Sequence, residues 1–326
     1  MITSFTHERA HFHSYLISGR TTVVLMMLLA VLLFRFQLVS SLTFCDDSKT
    51  KPLLRVIGGS ATSSEEFPWQ AAVVFYDSLG EGLMCGATVI DEYWILTAAH
   101  CIQKEPKKAF ILTGLRTLNN PLHTHHVEKT VTHPEYDENT IANDIALVKS
   151  VSSLLKKGVS PVCLARDDST LLSFNREALV VGFGLHIVSW SAFELTMSAS
   201  DVILTSTLPI IPQRECRNLS RLEWSAVSEG SISITDKQLC AGSKLHGTAP
   251  GDSGGPLLAK DLFGRLVQIG ITSFGAGGTS GLLDQNTYPG VYTRVSPYIT
   301  WMERTTNYGN TPVYLIVSIS ITSLMW

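Results

Sequence analysis

The stretch Gly247–Leu258, GTAPGDSGGPLL, places one serine, Ser253, among glycines and directly after an aspartate. Glycine, serine, aspartate and proline are the commonest turn-forming residues, so the stretch alone predicts a tight turn before an apolar strand. A serine in such a turn can also act as a nucleophile, provided that an imidazole and a carboxylate reach it from elsewhere in the chain. The remaining sequence must therefore be searched for these two partners.

Two other stretches contain the partner residue types. WILTAAHC ends an apolar run with His100 and Cys101, and NDIALV begins another run with Asp144. Taken singly, each residue has a simpler explanation as a polar strand end, a turn former or a loop residue, because short motifs have many false positives. Together, histidine, aspartate and serine make the set of groups that a catalytic triad requires, each at the edge of a predicted strand.

The sequence between these stretches favours an all-β fold. Short runs rich in valine, isoleucine and aromatic residues, such as WQAAVVFY and RLVQIGITSFG, alternate with turn signals and predict a barrel or a sandwich. One helix is predicted near the end of the chain, in SPYITWMERTTNY. Ser296 is expected to cap it, Pro297 suits its first turn, and Ile299 and Met302 fall on one face.

Composition limits the classes of partner. The chain has 326 residues, of which 45% are hydrophobic and 16% charged, enough for one large core or two medium ones. Its formal net charge is −3 and it has no basic block. Electrostatic support for binding nucleic acid is therefore lacking, and no nucleic-acid partner is expected.

The N-terminal region resembles a targeting segment. Thr21–Phe34 is strongly apolar, follows Arg20 and stops at Arg35. Fourteen residues give a helix of roughly 21 Å, too short for a hydrocarbon layer of ~30 Å. Residues 1–41 are therefore predicted to be a signal peptide, with an uncleaved signal anchor running to about Leu42 as the alternative.

Cysteine usage agrees with secretion. An even number of cysteines behind a secretory signal indicates disulfides: Cys45, Cys85, Cys101, Cys163, Cys216 and Cys240. None is spaced as C-x-x-C, so a zinc site is disfavoured. The triplet NLS makes Asn218 a predicted glycosylation acceptor.

Taken together, six stretches resemble the chymotrypsin-like (trypsin-fold) serine peptidases. They are RVIGG (55–59), FPWQ (67–70), WILTAAHC (94–101), NDIALV (143–148), GDSGGPL (251–257) and PGVYTRV (289–295). The resemblance covers Val56 to about Thr306, and residues 56–306 are expected to form the peptidase domain. It implies two packed six-stranded antiparallel barrels with a C-terminal helix and an active site in the cleft between the barrels.

The resemblance also implies a role for each residue of the site. His100 would be the general base and then the general acid, Asp144 would orient it, and Ser253 would be the nucleophile. The backbone N–H groups of Gly251 and Ser253 would form the oxyanion hole.

In this family the aspartate beside the nucleophile pairs with a new N-terminus. The matching bond here is Arg55–Val56, so the Val56 ammonium would pair with Asp252 after cleavage. The chain is thus expected to be an inactive precursor with a propeptide at 42–55, activated by an enzyme that cuts after arginine.

The family implies three disulfides, Cys85–Cys101, Cys216–Cys240 and Cys45–Cys163, the last tethering the propeptide. A fourth family disulfide is missing, because its two positions hold Ala249 and Gly278. Since a native bridge typically contributes ~2–5 kcal/mol, the wall of the substrate pocket is expected to be softer than usual.

The resemblance places the substrate pocket around Gly247 and Thr248 at its floor, Gly275 and Gly290 in its walls, and Ser273–Phe274 in the substrate-binding segment. No carboxylate stands at the floor, so a preference for lysine or arginine substrates is not expected. An open pocket of glycines predicts acceptance of a large apolar or aromatic side chain.

No cofactor and no metal are predicted. His123, His125 and His126 resemble a metal cluster, but they are expected in a surface loop and lack a fourth ligand. The acidic residues of the family's calcium loop are not evident around Leu115 to His126.

Residues 307–326 form an apolar tail. A GPI attachment signal, a short anchor helix and a segment packed on the body all remain open, so membrane attachment through the tail is one alternative.

The predicted function is a secreted or surface-attached serine endopeptidase with protein substrates, an activating protease and protease inhibitors as its partners. The alternative is a catalytically weak homologue that serves as a binding or adhesion module. A lipase or esterase is disfavoured, because the motif reads G-D-S-G-G and the chain lacks α/β alternation.

Overall fold

The computed structural model of the chain describes residues 42–43, 60–61, 66–190, 195–223 and 233–306. The predicted signal segment, Cys45, the predicted cleavage site Arg55–Val56 and the C-terminal tail lie outside these residues.

The described residues form seventeen strands and four α-helices. The first eight strands are β1 (Leu42–Thr43), β2 (Ser60–Ala61), β3 (Gln70–Tyr76), β4 (Gly82–Val89), β5 (Trp94–Thr97), β6 (Lys108–Thr117), β7 (Asn120–Thr132) and β8 (Ala146–Ser150). The others are β9 (Cys163–Ala165), β10 (Glu177–Gly182), β11 (Leu185–Trp190), β12 (Leu195–Ala199), β13 (Leu204–Ile211), β14 (Gln238–Ala241), β15 (Pro256–Lys260), β16 (Leu266–Phe274) and β17 (Gly290–Arg294). The helices are α1 (Ser169–Phe174), α2 (Gln213–Glu223), α3 (Gly278–Leu283) and α4 (Ile299–Thr306).

Strands β3 to β8 close into a six-stranded barrel in the order β3-β4-β5-β8-β7-β6. All of its pairings are antiparallel. Strand β3, QAAVVFY, is buried over all but its last residue, and the four residues of β5 are all buried. The short apolar runs of the sequence therefore pack into the barrel core, as their β-branched and aromatic content predicts.

The second half of the chain forms another closed ring of six antiparallel strands. Each neighbour is hydrogen-bonded to the next in the order β10-β13-β14-β17-β16-β15, and β15 returns to β10. Strand β9 extends this sheet parallel to β16, β1 pairs with β9, and β2 pairs with β13. The predicted architecture of two six-stranded antiparallel barrels is confirmed.

The predicted C-terminal helix is also confirmed, but it begins differently from the expectation. A 3₁₀ turn covers Ser296–Tyr298, the residue in the cap position is Val295, and no side chain caps the turn. The expectation that Ser296 caps the helix is therefore wrong, because Ser296 is itself the first residue of the turn. Ile299 and Met302 are buried, as their shared helix face predicts.

Residues 295–302 pack against the core of the first barrel. Val295, Tyr298, Ile299 and Met302 belong to the same buried hydrophobic cluster as the side chains of β3 and β5. Within the ranges described above, no helix is both long enough and apolar enough to cross a membrane.

Candidate active site

Strand register brings His100 and Asp144 together. Strands β5 and β8 pair antiparallel with Thr97 opposite Ala146, and His100 follows Thr97 while Asp144 precedes Ala146. A 3₁₀ turn, Ala99–Cys101, turns the chain at His100, and the disulfide Cys85–Cys101 joins that turn to β4.

The two side chains form a close pair. His100 Nδ1 lies 2.8 Å from Asp144 Oδ2, and the backbone N–H of His100 donates to Asp144 Oδ1 at 2.9 Å. The carboxylate is fully buried, whereas 28% of the His100 side chain is exposed. Because Asp144 accepts from Nδ1, the neutral imidazole presents Nε2 as its proton acceptor.

Two residues of the second barrel hold Asp144 in place. Ser273 Oγ donates to Asp144 Oδ2 at 2.5 Å, and Thr293 Oγ1 donates to the backbone oxygen of Asp144 at 2.8 Å. From sequence, Ser273 was expected only in the substrate-binding segment, and Thr293 was not singled out. Contacts 129 and 149 residues apart along the chain leave no local sequence signal.

The Ser253 turn packs against the first barrel. The backbone N–H of Gly86, in β4, donates to the Ser253 carbonyl oxygen at 2.7 Å. At Gly254, where φ is +78°, a Cβ would lie 2.2 Å from Thr97 Oγ1 and 2.3 Å from the Gly86 oxygen, so only glycine fits. The Ser253 turn thus contacts β5, the strand that directly precedes the His100 turn, and β4, the strand that the disulfide Cys85–Cys101 joins to that turn.

Ser253 itself is half-buried. No hydrogen bond joins its Oγ to His100 Nε2 among the residues that the structure describes. Catalytic hydrogen bonds are often long without substrate and shorten only in the reacting complex.

The backbone amides of the turn differ in whether they donate to a backbone acceptor. Asp252 N–H donates to the Ala249 oxygen at 3.0 Å and Gly254 N–H donates to the Thr272 oxygen at 2.8 Å. The N–H groups of Gly251 and Ser253, predicted to form the oxyanion hole, donate to no backbone acceptor within the described ranges.

Asp252 is buried in a seat formed by glycines. Its Oδ1 accepts from Gly184 N–H at 2.7 Å and its Oδ2 from Ala249 N–H at 2.9 Å. A Cβ at Gly182 or Gly184 would lie 2.0 or 2.3 Å from the carboxylate oxygens, so any side chain there would displace it. Burial raises the pKa of Asp252 to about 6, although both backbone donors act to lower it. Val56, its predicted partner, lies outside the described residues.

The predicted substrate pocket differs from the expectation at its floor. A Cβ built at Gly247 would lie 1.8 Å from Gln285 Oε1 and 2.0 Å from Gln285 Cδ. The expectation of an open glycine floor is therefore wrong, because the Gln285 amide occupies that space. No pattern in the sequence marked Gln285, which follows α3 in the loop before β17.

The two predicted walls of the pocket, at Gly290 and Gly275, differ in how closely other atoms approach them. At Gly290 a Cβ would lie 3.0 Å from Thr248 Oγ1 and 3.2 Å from Tyr292 Oη, whereas a Cβ at Gly275 would meet no atom within 4 Å. Phe274, next to Gly275, is half-buried. At the two positions of the missing disulfide, Ala249 is 8% exposed and Gly278 has no atom within 4 Å of a built Cβ.

Two of the three implied disulfides are present, Cys85–Cys101 and Cys216–Cys240. Cys163 is also disulfide-bonded, and its predicted partner, Cys45, lies outside the described residues. Asn218, the predicted glycosylation acceptor, is exposed on α2.

The three histidines of the HTHH stretch lie in strand β7, not in the surface loop expected from sequence. His125 is buried between Thr113 Oγ1 and Ser152 Oγ, and burial lowers its pKa. His123 contacts the backbone oxygen of Lys157, whereas His126 packs against Phe110. A second group of potential ligands, Cys85, His100 and Cys101, has both sulfurs in a disulfide.

Comparison with known proteins places this geometry in a family. Residues 56–302 match the protein family described as Trypsin. The chain is 33% identical over 257 residues to vitamin K-dependent protein C of Oryctolagus cuniculus, an alignment that covers 76% of this chain and 51% of that protein. It is 32% identical over 274 residues to human tissue-type plasminogen activator, covering 78% of this chain and 45% of that protein. It is 32% identical over 270 residues to CLIP domain-containing serine protease B4 of Anopheles gambiae, covering 76% of this chain and 69% of that protein.

The chain spans about half the length of the first two relatives. The family match nonetheless includes both barrels and every strand that carries a predicted site residue. The chain belongs to the trypsin family of chymotrypsin-like serine peptidases.

Proposed function

We propose that this protein is a serine endopeptidase in which Ser253, His100 and Asp144 hydrolyse peptide bonds. The observation that carries the proposal is the buried Asp144 carboxylate, which accepts from His100 Nδ1 at 2.8 Å and from Ser273 Oγ at 2.5 Å. This pairing uses Nδ1 as the donor to Asp144, so Nε2, which lies 3.7 Å from Cys101 Sγ in the structure, is the nitrogen that would take a proton from a nucleophile.

In the first half of the reaction, Ser253 Oγ attacks the carbonyl carbon of the scissile bond and its proton passes to His100 Nε2. The carbonyl oxygen becomes negative and would be stabilised by the N–H groups of Gly251 and Ser253. Each such donor typically contributes about 2.7–4 kcal/mol to lowering the barrier. His100 then gives the proton to the leaving amine, which leaves an acyl group on Ser253.

In the second half, water replaces the amine. His100 Nε2 takes a proton from water, the hydroxide attacks the acyl carbon, and the proton returns to Ser253 Oγ as the carboxylic acid leaves. Throughout, the Nδ1 proton stays on His100 and Asp144 stabilises the imidazolium.

The protein is made, in this proposal, as a precursor that is activated by cleavage after Arg55. Asp252 is a buried carboxylate with two backbone donors and no cation among the described groups that shift its pKa. The new ammonium of Val56 would supply that cation. Leu204 of β13 pairs with Gly182 of β10 on one side and with Ala61 of β2 on the other. Ala61 therefore lies two strand spacings, about 10 Å, from Gly182, which is next to the Asp252 carboxylate. Five residues span up to roughly 17 Å, so Val56 is within reach.

An extracellular location fits this chemistry, because the two disulfides of the described body form and persist in oxidising compartments. Protein substrates, an activating protease that cuts after arginine, and protease inhibitors are the partners that an enzyme of this kind requires.

The test is activation followed by active-site labelling. The purified precursor is cut with trypsin, the Val56 N-terminus is confirmed by sequencing, and a fluorophosphonate probe is added. We expect labelling of the cleaved wild type, none of the cleaved Ser253→Ala variant, and little of the uncut precursor. Correctly cleaved and folded protein that takes no label would instead favour the binding or adhesion module.

A further inference from the structure

Gln285 is a buried amide at the base of the substrate pocket. Only 3% of the residue is exposed. Its Nε2 donates to the backbone oxygen of Thr248 at 2.6 Å, and its Oε1 accepts from the Thr248 backbone N–H at 3.2 Å. The side chain thus pairs with both polar groups of one peptide residue, which fixes its position and its orientation.

The segment that carries Gln285 is anchored to the opposite side of the pocket. The Leu245 N–H donates to the Leu283 oxygen at 2.7 Å, and Lys244 forms an isolated bridge with Asp284. Together with the pair to Thr248, these contacts join the two segments beside Ala249, one end of the missing disulfide. The hydrogen-bonded Gln285 amide therefore makes, close to that point, a link that the family makes with two sulfurs.

The same amide shortens the pocket. The Gln285 amide fills the space that the missing side chain of Gly247 would otherwise leave. Its Oε1, Cδ and Nε2 lie 1.8, 2.0 and 2.4 Å from a Cβ built at that residue. Thr248 Oγ1 and Tyr292 Oη crowd the adjoining wall at Gly290, whereas the entrance at Gly275 is open. The space beside Gly275 is thus open, whereas neutral polar groups fill the space beside Gly247 and Gly290.

We propose that Gln285 sets the specificity of this pocket, so that the enzyme accepts small uncharged side chains before the scissile bond and rejects basic and large aromatic ones. An aromatic ring would have to displace a doubly hydrogen-bonded amide, and the displaced partners on Thr248 would remain buried and unpaired. A lysine or arginine would bury its charge without a carboxylate partner. This inference rests on the proposed endopeptidase function, because it concerns the substrates of the same site.

The test is a series of peptide substrates that differ only in the residue before the scissile bond: alanine, valine, phenylalanine or lysine. The kcat/KM of each is measured for activated wild type, Gln285→Ala, Gln285→Glu and the matched control Asn286→Ala, an exposed neighbour. Enzyme concentrations are taken from fluorophosphonate labelling. We expect wild type and control to favour alanine or valine over phenylalanine by about tenfold or more.

The two variants should change the ranking in different directions. Gln285→Ala should raise the ratio of phenylalanine to alanine cleavage by about tenfold or more, and Gln285→Glu should raise the ratio of lysine to alanine cleavage. A wild-type preference for phenylalanine or lysine would overturn the inference, even if a variant does not fold. Unchanged ratios in folded Gln285→Ala would overturn it as well.

A binding measurement separates this inference from the chemistry. The cleaved Ser253→Ala variant, with and without Gln285→Ala, is titrated with the same peptides by calorimetry. Absence of fluorophosphonate labelling in wild type, with tighter binding of the alanine peptide here, would contradict the proposed function and support the role of Gln285. Equal binding of all four peptides would overturn that role.

Discussion

At the scale of single residues, Asp144 illustrates how a buried charge is made tolerable. A carboxylate without water is costly unless donors surround it. Asp144 is fully buried and accepts from His100 N–H, His100 Nδ1 and Ser273 Oγ. These donors come from both barrels, so the orientation of the imidazole depends on side chains far apart in sequence.

Replacing Asp144 tests that arrangement directly. Asp144→Asn keeps the shape but offers an amide N–H where His100 needs an acceptor, so the imidazole should adopt the wrong tautomer. We expect kcat to fall about ten-thousand-fold with little change in KM. The matched control is Glu138→Gln, which alters an exposed carboxylate paired with Lys104. Steady-state kinetics in which both variants behave alike would contradict the role assigned to Asp144.

Asp252 is expected to give the uncut chain a pH dependence of its own. Burial raises its pKa from 3.8 to about 6, so the folded state favours the protonated carboxyl. The stabilisation from this group is fully present below the unfolded pKa and is lost as the pH rises through about 6. The full loss amounts to roughly 3 kcal/mol. The Asp252→Asn variant cannot ionise at this position. Its free energy of unfolding, relative to that of the wild-type precursor, is therefore expected to rise by most of that amount between about pH 4 and about pH 8.

Guanidinium unfolding of the uncut precursor and of its variant at both pH values measures this difference. Cleavage after Arg55 should reverse the sign, because the Val56 ammonium would pair with the ionised carboxylate. The variant should then be less stable than wild type near neutral pH by ~3–5 kcal/mol. A variant that is equally stable before and after cleavage would contradict the pairing of Val56 with Asp252.

The sequence marks the residues that are proposed to react, but not the residues that hold or crowd them. His100, Asp144 and Ser253 stand in motifs with neighbours of fixed type. Gln285 lies outside the six stretches, and Thr293 lies within PGVYTRV without any sign there of its contact; the contacts of the two residues join positions 37 and 149 residues apart. Such positions are determined by loop length and strand register, neither of which a local pattern contains.

At the scale of elements, the disulfide Cys85–Cys101 fixes the turn that carries His100. It joins β4 to the 3₁₀ turn immediately after β5, across a sequence separation of 16 residues. Restricting an unfolded loop of about this length stabilises the native state by roughly 3 kcal/mol. Because His100 precedes Cys101, loss of the bridge should also loosen the imidazole.

Removing each disulfide in turn separates stability from catalysis. We expect Cys85→Ala/Cys101→Ala to lower the free energy of unfolding by roughly 3 kcal/mol and to lower kcat. The matched variant Cys216→Ala/Cys240→Ala opens a bridge of separation 24 in the second half of the chain. It should lose similar stability with a smaller effect on kcat. Equal losses of kcat in the two variants, measured by active-site-titrated assays, would argue against the positioning role.

The elements themselves were predictable where periodicity was clear. The buried runs of β3 and β5 and the apolar face of α4 follow from composition and spacing. The HTHH stretch predicts a loop by its composition, because the alternating polar residues of a largely exposed strand resemble those of a loop. Only the pairing of β7 with both β6 and β8 makes it a strand.

At the scale of the whole molecule, helix α4, the last in the part of the chain that the structure describes, packs into the core of the first barrel. Met302 is 3% exposed and packs in the cluster formed by the side chains of β3, β4 and β5. We expect Met302→Ala to lower the free energy of unfolding by ~2–5 kcal/mol, since it leaves a cavity in that core. Arg304→Ala, on the exposed side of α4, should change it by less than about 0.5 kcal/mol. Denaturant titrations that give the two variants the same stability would show that α4 does not support the barrel.

The seating of Ser253 on strands β4 and β5 has a practical consequence. His100 and Asp144 come from one half of the polypeptide, and Ser253 with its amides comes from the other. Neither half contains all three residues of the proposed triad. Severing the backbone in the connector between β9 and β10 would separate Ser253 from His100 and Asp144. Under the proposed mechanism, hydrolysis should then require both reassembly of the two pieces and cleavage after Arg55, so the scaffold could serve as a split reporter of protein association.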